Sequence, residues 1–208
     1  MSSFDTSPLH TSSDVLVDGP LLITPSVFSD TRGFFFESWN INSFRESLLA
    51  SGLASNDVYD IKFCQDNHSS SVCGVLRGLH YQIQPQPQGK LVRCSLGEIF
   101  DVAVDLRRDS PTFGSWVSAI LSSSNFQQMW IPAGFAHGFL TLSQIAEVQY
   151  KATGFWNKNC ERSLYWNDPS LAIAWPLKDL GLSEPLLSNK DKCAFFLKSY
   201  LDSDEVII

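Results

Sequence analysis

The sequence predicts a mainly β protein: a jelly-roll sandwich or barrel with a few short helices, one of them near the C-terminus. Between residues 63 and 153 the chain consists of short apolar segments of strand length, separated by turn residues. Several of these segments alternate apolar side chains with polar or small ones, which is typical of strands with one buried face. Many short strands at this spacing indicate a sandwich or a jelly roll.

The N-terminal part is expected to add one strand and one helix. Residues 1–14 are rich in Ser and Thr, so a flexible tail is expected there. Residues 15–23 are apolar but contain a Gly-Pro pair, which favours an edge strand because proline cannot donate to a sheet ladder. Residues 42–53 place their apolar side chains on one side of a helix, with Asn42 as its expected cap.

The remaining elements follow in order. Two strands are expected within residues 91–106, turning at Leu96-Gly97. Further strands are expected over 116–121, 128–131, 138–142 and 147–153. Ser188 to Asp191 resembles a capping box, and a helix is expected from there to about Tyr200. We therefore expect one domain over residues 15–208.

The composition restricts the possible partners. A net charge of −7 argues against binding to nucleic acid, and an anionic ligand needs a local cationic pocket. The five cysteines are odd in number and contain no C-x-x-C pair, which indicates reduced thiols and a cytoplasmic protein. The N-terminus lacks the pattern of a signal peptide, and no apolar stretch approaches the ~20 residues of a membrane span.

Two motifs resemble the metal cage of cupin proteins. Metal-binding cupins carry G-x5-H-x-H followed by a Glu, and then P-x-G-x-x-H. In this chain the first motif contains His80 but has Gln82 at its second His position, and the second motif ends at His137. The Glu position falls on glutamine or proline. Two histidines alone do not close a stable site, so we expect no metal and no cofactor, with His80 free to transfer protons.

Further motifs, spread over roughly residues 15–195, carry a closer resemblance. They are Arg32–Glu37, Gln65–Ser69, Gly74–Gln82, Gln88–Arg93, Gly97–Leu106, Ser110–Gly114, Trp130–Phe139, Tyr150–Thr153, Trp166–Pro169 and Leu187–Asp191. In number and order they resemble those of the dTDP-4-dehydrorhamnose 3,5-epimerases, which are cupin-fold enzymes of the rhamnose pathway. The resemblance implies a metal-free isomerase that acts on a dTDP-sugar, a homodimer, and no nucleic-acid or membrane partner.

The resemblance also implies the catalytic residues. Members of this family invert C3 and C5 of dTDP-4-dehydro-6-deoxyglucose, the two carbons beside the C4 ketone. On this chain the general base corresponds to His80, the acid to Tyr150, the carboxylate that supports the base to Asp191, and the cation near the ketone to Lys90. Asp191 can also be only part of a helix cap.

Inversion beside a ketone needs a base and an acid on opposite faces of the sugar. A His with a pKa near the working pH suits the base, and a phenol that is protonated at neutral pH suits the acid. A carboxylate behind the His fixes its tautomer, and a cation stabilises the enolate.

The same resemblance implies a set of substrate-binding residues. They are Arg32, Glu37, Gln65, Asn67, Arg77, His137, Glu161 and Lys190. His137 can also be a vestigial metal-ligand position. The chain departs from the family in one place: a Tyr that often stacks on thymine is replaced in the pair Phe155-Trp156, so Trp156 is expected to stack.

Three other functions remain open on the sequence. The first is a dTDP-4-keto-sugar 3- or 5-mono-epimerase, or a 3,4-ketoisomerase, although Tyr150 together with Lys90 favours a 3,5-epimerase. The second is a sugar-nucleotide-binding cupin without activity, which the joint presence of base, acid, carboxylate and Lys disfavours. The third is a metal-dependent dioxygenase, which Gln82 and the missing Glu disfavour.

Overall fold

Two antiparallel β-sheets lie face to face in the computed structural model, which describes residues 4–205 and 207–208. The strands are β1 (Asp5–His10), β2 (Leu16–Thr24), β3 (Val27–Asp30), β4 (Gly33–Phe36), β5 (Gln65–Val72), β6 (Leu76–Gln82), β7 (Lys90–Leu96), β8 (Glu98–Asp105), β9 (Trp116–Ser122), β10 (Gln128–Ile131), β11 (Phe135–Thr141), β12 (Ile145–Ala152) and β13 (Glu161–Ser163). The predicted β-sandwich of cupin type is confirmed.

The two sheets differ in their strand order. One sheet has six strands in the order β1-β2-β10-β7-β12-β5, and the other has five in the order β13-β6-β11-β8-β9. The strands β3 and β4 form a separate hairpin. Because side chains alternate along a strand, each sheet presents one face to the interior and one face outward.

The helices are short. They are α1 (Ile41–Ala50), α2 (Ser55–Asp60), α3 (Asn189–Lys192) and α4 (Leu197–Leu201), with a one-turn 3₁₀ helix at Lys178–Leu180. The cap of α1 is Asn40 rather than Asn42: its side chain accepts a hydrogen bond from the backbone N–H of Asn42 at 2.9 Å. Helix α1 buries Phe44 against Leu91 and Trp130 on the outer face of the six-stranded sheet.

Between the sheets lies an apolar core. Residues from both sheets meet there, among them Val92 and Val148 of the six-stranded sheet and Ile99 and Phe139 of the five-stranded sheet. A second core covers the outer face of the five-stranded sheet, where the C-terminal segment packs through Trp175 and other side chains. The C-terminal segment is therefore held against the sheet that carries His80.

Two N-terminal expectations were wrong. Part of the supposed tail is strand β1, which pairs with β2 and gains backbone hydrogen bonds that its polar sequence does not reveal; residues 1–3 lie outside the described residues. Strand β2 is not at the edge, because β1 and β10 flank it. Its Pro20 is tolerated because the β1–β2 register shifts there and β10 pairs only with residues 21–23.

The expected C-terminal helix is two helices. Ser188 caps α3 as predicted, and its side chain accepts from the backbone N–H of Asp191. Between α3 and α4 the backbone of Phe195 bonds instead with Ser163 and Tyr165, which interrupts the helix. In the part of the chain that the structure describes, no helix has the length and apolar character to cross a membrane.

Candidate active site

Polar side chains interrupt the apolar interior between the two sheets. His80 and His137 come from the five-stranded sheet, and Lys90 and Tyr150 come from the six-stranded sheet. Tyr150 shares its strand face with the core residue Val148 and packs against the core between the sheets. The four side chains therefore face one another across the sandwich.

Two glycines let the strands of the two histidines lie close together. His80 on β6 and His137 on β11 are register partners. A Cβ atom added at Gly78 would meet the Cα atom of Gly138 at 2.5 Å, a distance that no side chain tolerates. The glycines of the two sequence motifs thus have a structural role: they place the two imidazoles side by side.

His80 forms a short hydrogen bond with a buried carboxylate. Its Nε2 lies 2.6 Å from Oδ1 of Asp191, which belongs to α3. The hydroxyl of Ser188 donates to the other carboxylate oxygen at 2.8 Å. Because an ionised carboxylate only accepts, it holds the proton on the near ring nitrogen of His80 and leaves the far nitrogen to take up a proton.

The ionisation of this pair suits a base. Burial lowers the pKa of His80 and outweighs the opposing hydrogen bond and charge of Asp191, so the imidazole is neutral at neutral pH. Burial alone would raise the pKa of Asp191, but the hydrogen bonds from His80 and Ser188 and the nearby charges lower it. Asp191 therefore remains an anion that can stabilise His80 once it is protonated.

Lys90 is a buried cation between the two sheets. Its ammonium donates to the backbone carbonyl of His80 at 3.3 Å and lies 5.9 Å from the centre of the Tyr150 ring. Burial lowers the pKa of Lys90 to about 8, and the charges of Asp101 and Glu161 act against this shift. Lys90 is thus mostly charged at pH 7, but its charge is poorly solvated and available to an oxyanion.

Tyr150 carries its phenol on the sheet opposite His80. Its strand neighbours in register are Val92 and Asn67. Burial raises the pKa of Tyr150 above its ordinary value, and the charge of Glu161 adds to the shift. The phenol is therefore protonated at neutral pH and able to donate.

The sequence did not single out Asp101, which the structure places beside His137. The carboxylate is fully buried, and its Oδ1 lies 2.7 Å from Nε2 of His137. Its Oδ2 has no hydrogen-bond partner among the described residues. The sequence did carry a signal for this residue: Asp101 stands at an inward position of β8, between the core residues Ile99 and Ala103. An acid at a core position usually has a buried partner, so Asp101 could have been marked as a site candidate.

Other predicted binding residues surround this centre. Glu161 pairs with Lys190 at 2.7 Å, and the charge of Lys190 influences the pKa of both His80 and Lys90. Burial alone would raise the pKa of Glu161. The side chains of Lys190 and Trp156 and the nearby charges outweigh burial, so the pKa is lowered.

Arg77 on β6 reaches across to β5, the edge strand of the other sheet. Its guanidinium donates to the Ser71 hydroxyl at 2.9 Å and to the Ser70 carbonyl at 3.1 Å, both on β5. The side chain of Gln65 donates to Asn67 at 3.0 Å on the same strand. Gln65 and Asn67 therefore lie together beside Tyr150, the register partner of Asn67. Arg77 contacts β5 further along the strand, near enough for its charge to act on the pKa of Tyr150.

Within the residues that the structure describes, Arg32 and Glu37 lie in segments apart from the strands that carry the other site residues. Arg32 lies in the β3–β4 hairpin, where its side chain is 88% exposed and pairs with Asp30. Glu37 accepts hydrogen bonds from Asn40 and Ser43 at the start of α1, the helix that packs on the outer face of the six-stranded sheet. Their roles in binding stay predictions.

The vestigial metal cage has no complete ligand set. Within residues 4–205 and 207–208, no group of three or more His, Cys, Asp or Glu side chains is arranged to hold a metal ion. Gln82 occupies the second His position of the G-x5-H-x-H motif of metal-binding cupins. Its buried amide is hydrogen-bonded to backbone groups.

Comparisons with known proteins agree with this geometry. The family model described as dTDP-4-dehydrorhamnose 3,5-epimerase matches residues 14–199. The Pseudomonas aeruginosa dTDP-4-dehydrorhamnose 3,5-epimerase is 57% identical over 184 residues, which cover 88% of this chain and 92% of the relative. The Legionella pneumophila 3,5-epimerase RmlC in complex with dTDP-4-keto-L-rhamnose is 45% identical, with a TM-score of 0.80, and the match covers 93% of this chain and 94% of that one.

A relative with a narrower reaction is also similar. ChmJ, a 3'-monoepimerase of Streptomyces bikiniensis solved in complex with dTDP-quinovose, is 32% identical with a TM-score of 0.78. The match covers 93% of this chain and 89% of that one. The fold and much of the sequence are thus shared by enzymes that invert different numbers of carbons.

We predict that Asp101→Asn lowers the pKa of Lys90 below its value of about 8, because the nearby negative charge that favours the ammonium is lost. NMR titration of the protein with ¹³C-labelled lysine measures this pKa. Asp66→Asn is the matched control: it removes the same charge from the exposed Asp66, which pairs with Lys151. An unchanged Lys90 pKa in Asp101→Asn shows that the two groups are not coupled.

Proposed function

The chain belongs to the dTDP-4-dehydrorhamnose 3,5-epimerase family, and we propose that His80, Tyr150 and Lys90 carry out the family reaction here. That reaction inverts C3 and C5 of dTDP-4-dehydro-6-deoxyglucose in dTDP-rhamnose biosynthesis. One observation supports the assignment above all others. A neutral imidazole and a protonated phenol lie on facing sheets, with a buried ammonium between them.

The first step removes a proton. The free nitrogen of His80 takes the proton from the sugar carbon beside the ketone. The electron pair of that C–H bond forms a C=C bond to C4, and the C4 oxygen becomes the enolate oxygen. Asp191 stabilises the imidazolium through its 2.6 Å hydrogen bond. General base catalysis of this kind typically contributes about 10²–10⁴-fold.

The second step returns a proton to the other face. The Tyr150 phenol donates to the same carbon from the opposite sheet, the C4 carbonyl re-forms, and the configuration is inverted. The His80 imidazolium then loses its extra proton to water and the Tyr150 phenolate takes one from water, which restores both groups for the second carbon. Throughout both steps the Lys90 ammonium neutralises the charge on the C4 oxygen, and such a donor typically contributes about 10²–10³-fold. Because C3 and C5 both adjoin C4, one cation serves the enolates of both carbons.

Cations at the edge of the site support a place for the diphosphate. Arg77 offers a planar fork of N–H donors that matches phosphate oxygens, and Lys190 adds a second charge. Both lie in an acidic chain with a net charge of −7, where cations near the ligand must offset general repulsion. The five free cysteines support a cytoplasmic location.

A second copy of the chain would explain the position of Arg32. The β3–β4 hairpin exposes Phe28, Phe34 and Phe35 by 61%, 60% and 74%, and exposed apolar clusters of this kind mark protein interfaces. We propose that the protein is a homodimer in which each hairpin reaches the partner's site. Arg32 would then contact the substrate bound to the other subunit, although it lies outside the site of its own chain.

The proposed reaction is tested by proton NMR of the enzyme with dTDP-4-dehydro-6-deoxyglucose in deuterated water, with a chelator present. We expect a product inverted and deuterated at both C3 and C5, and no inversion or exchange with His80→Asn. The control is His68→Asn, which changes an exposed histidine paired with Glu147. Inversion at one carbon only would identify a mono-epimerase, and activity that requires an added metal would contradict the metal-free mechanism.

The partner contribution is tested by mixing two inactive variants, Arg32→Ala and His80→Asn, under conditions that exchange subunits. A mixed dimer contains one site with both His80 and the partner's Arg32 intact. We expect mixing to restore about a quarter of the wild-type activity, because half of the dimers are mixed and one of their two sites is whole. If Arg32 acts within its own chain, mixing restores nothing.

A further inference from the structure

Glutamine side chains hold the backbone of an exposed aromatic loop. The loop, residues 154–157, lies between β12 and β13 and carries Phe155 and Trp156, which are 62% and 54% exposed. Exposed loops of this kind are usually mobile, because few contacts fix them. Here each of the four residues has a backbone group bonded to the side chain of a glutamine.

Gln82 makes the central connection. Its amide nitrogen donates to the carbonyl of Phe155 at 3.1 Å, and its amide oxygen accepts from the backbone N–H of Asn157 at 2.7 Å. The same nitrogen donates to the carbonyl of Gln86 at 2.6 Å. Gln82 is 3% exposed, and both ends of its amide are occupied.

Two other glutamines bond the rest of the loop. Gln65 accepts from the backbone N–H of Trp156 at 2.9 Å, and Gln88 donates to the carbonyl of Gly154 at 2.6 Å. Gln65 belongs to the six-stranded sheet, whereas Gln82 belongs to the five-stranded sheet. The loop is therefore fixed to both sheets at once, next to the polar centre between them.

The Trp156 side chain lies near the Glu161 carboxylate, whose pKa it helps to lower, and Glu161 in turn pairs with Lys190. An exposed aromatic ring on a backbone that is fixed in this way is a preformed stacking surface. Because its order is established on folding, a ligand that stacks on it does not have to restrict it again.

We propose that Gln82 is a positioning residue for nucleotide binding: it holds Trp156 as a rigid wall on which the base of the nucleoside diphosphate stacks. This inference rests on the proposed function, since it places the base of that substrate. A position that binds metal in other cupins is thus used here to fix a loop. Stacking on an aromatic ring strengthens binding about tenfold or more per base, so displacing the wall has a measurable effect.

The substitution Gln82→Glu tests this role without changing the size of the side chain. It replaces the amide donor by a second acceptor that faces the carbonyls of Gln86 and Phe155, and those oxygens repel it. The matched control is Gln84→Glu, which adds the same charge at an exposed position two residues along. Gln82→Met is a second variant that removes the hydrogen bonds without adding a charge.

The measurement is the Kd for dTDP by calorimetric titration, with circular dichroism to establish that each variant is folded. We expect Gln82→Glu and Gln82→Met to raise the Kd about tenfold and Gln84→Glu to leave it within about twofold. In steady-state kinetics, both Gln82 variants should raise KM and leave kcat largely unchanged. Equal Kd values for wild type and both folded Gln82 variants would overturn the proposal.

A double-mutant cycle establishes that Gln82 acts through the aromatic ring. In a Trp156→Ala background, Gln82→Glu should weaken dTDP binding no further, because the wall it positions is already absent. An undiminished tenfold effect in that background contradicts the proposal. Since dTDP binding does not depend on turnover, a wild-type enzyme that binds dTDP but inverts no carbon would overturn the proposed reaction alone.

Discussion

Ionisable side chains in the interior between the two sheets each need a fixed partner, because an unpaired charge in a dry interior is strongly destabilising. The bond between His80 and Asp191 is the clearest case. It joins a strand of the five-stranded sheet to a four-residue helix more than a hundred positions later in the chain. The position of α3, which Ser188 caps and the C-terminal segment carries, therefore sets the hydrogen bond and the charge that act on the base.

The same requirement explains features that are distant in sequence. Asp101 is buried beside His137, and its charge favours the ammonium of Lys90 and so opposes the lowering of the Lys90 pKa by burial. Gly78 and Gly138 bring the two histidine strands together, so that the charges lie within one small volume. A barrel interior that holds a metal in other cupins here holds a lysine, two His–Asp pairs and a phenol. Each of the two imidazoles is bonded to a carboxylate rather than to a metal ion, and the far ring nitrogen of His80 remains able to exchange protons.

Local sequence predicts where the strands lie better than it predicts which strands pair with one another. The strands from β7 to β12 lie close to the segments expected from their apolar residues, because each strand places side chains in at least one core. Strand β1 has no such alternation, and only its pairing with β2 makes it a strand. The resemblance named His80 and Asp191, which the structure brings together. The inward position of Asp101 on β8 could be recognised from the sequence, but its partner His137 could not, because that pairing depends on how β8 and β11 lie side by side. The placement of Arg32 in an exposed hairpin, apart from His80 and Asp191, could not be predicted from local sequence either.

Proton transfer from two opposite sides of the sugar is tested most directly by following Tyr150→Phe with dTDP-4-dehydro-6-deoxyglucose in deuterated water. The substitution keeps the ring and removes only the phenolic proton. If His80 acts alone on its side, the variant continues to exchange substrate protons with solvent, returning deuterium to the original face, while formation of the epimerised product falls sharply. Equal rates of inversion in the variant and the wild type would contradict the assignment of Tyr150 as the acid on the opposite sheet.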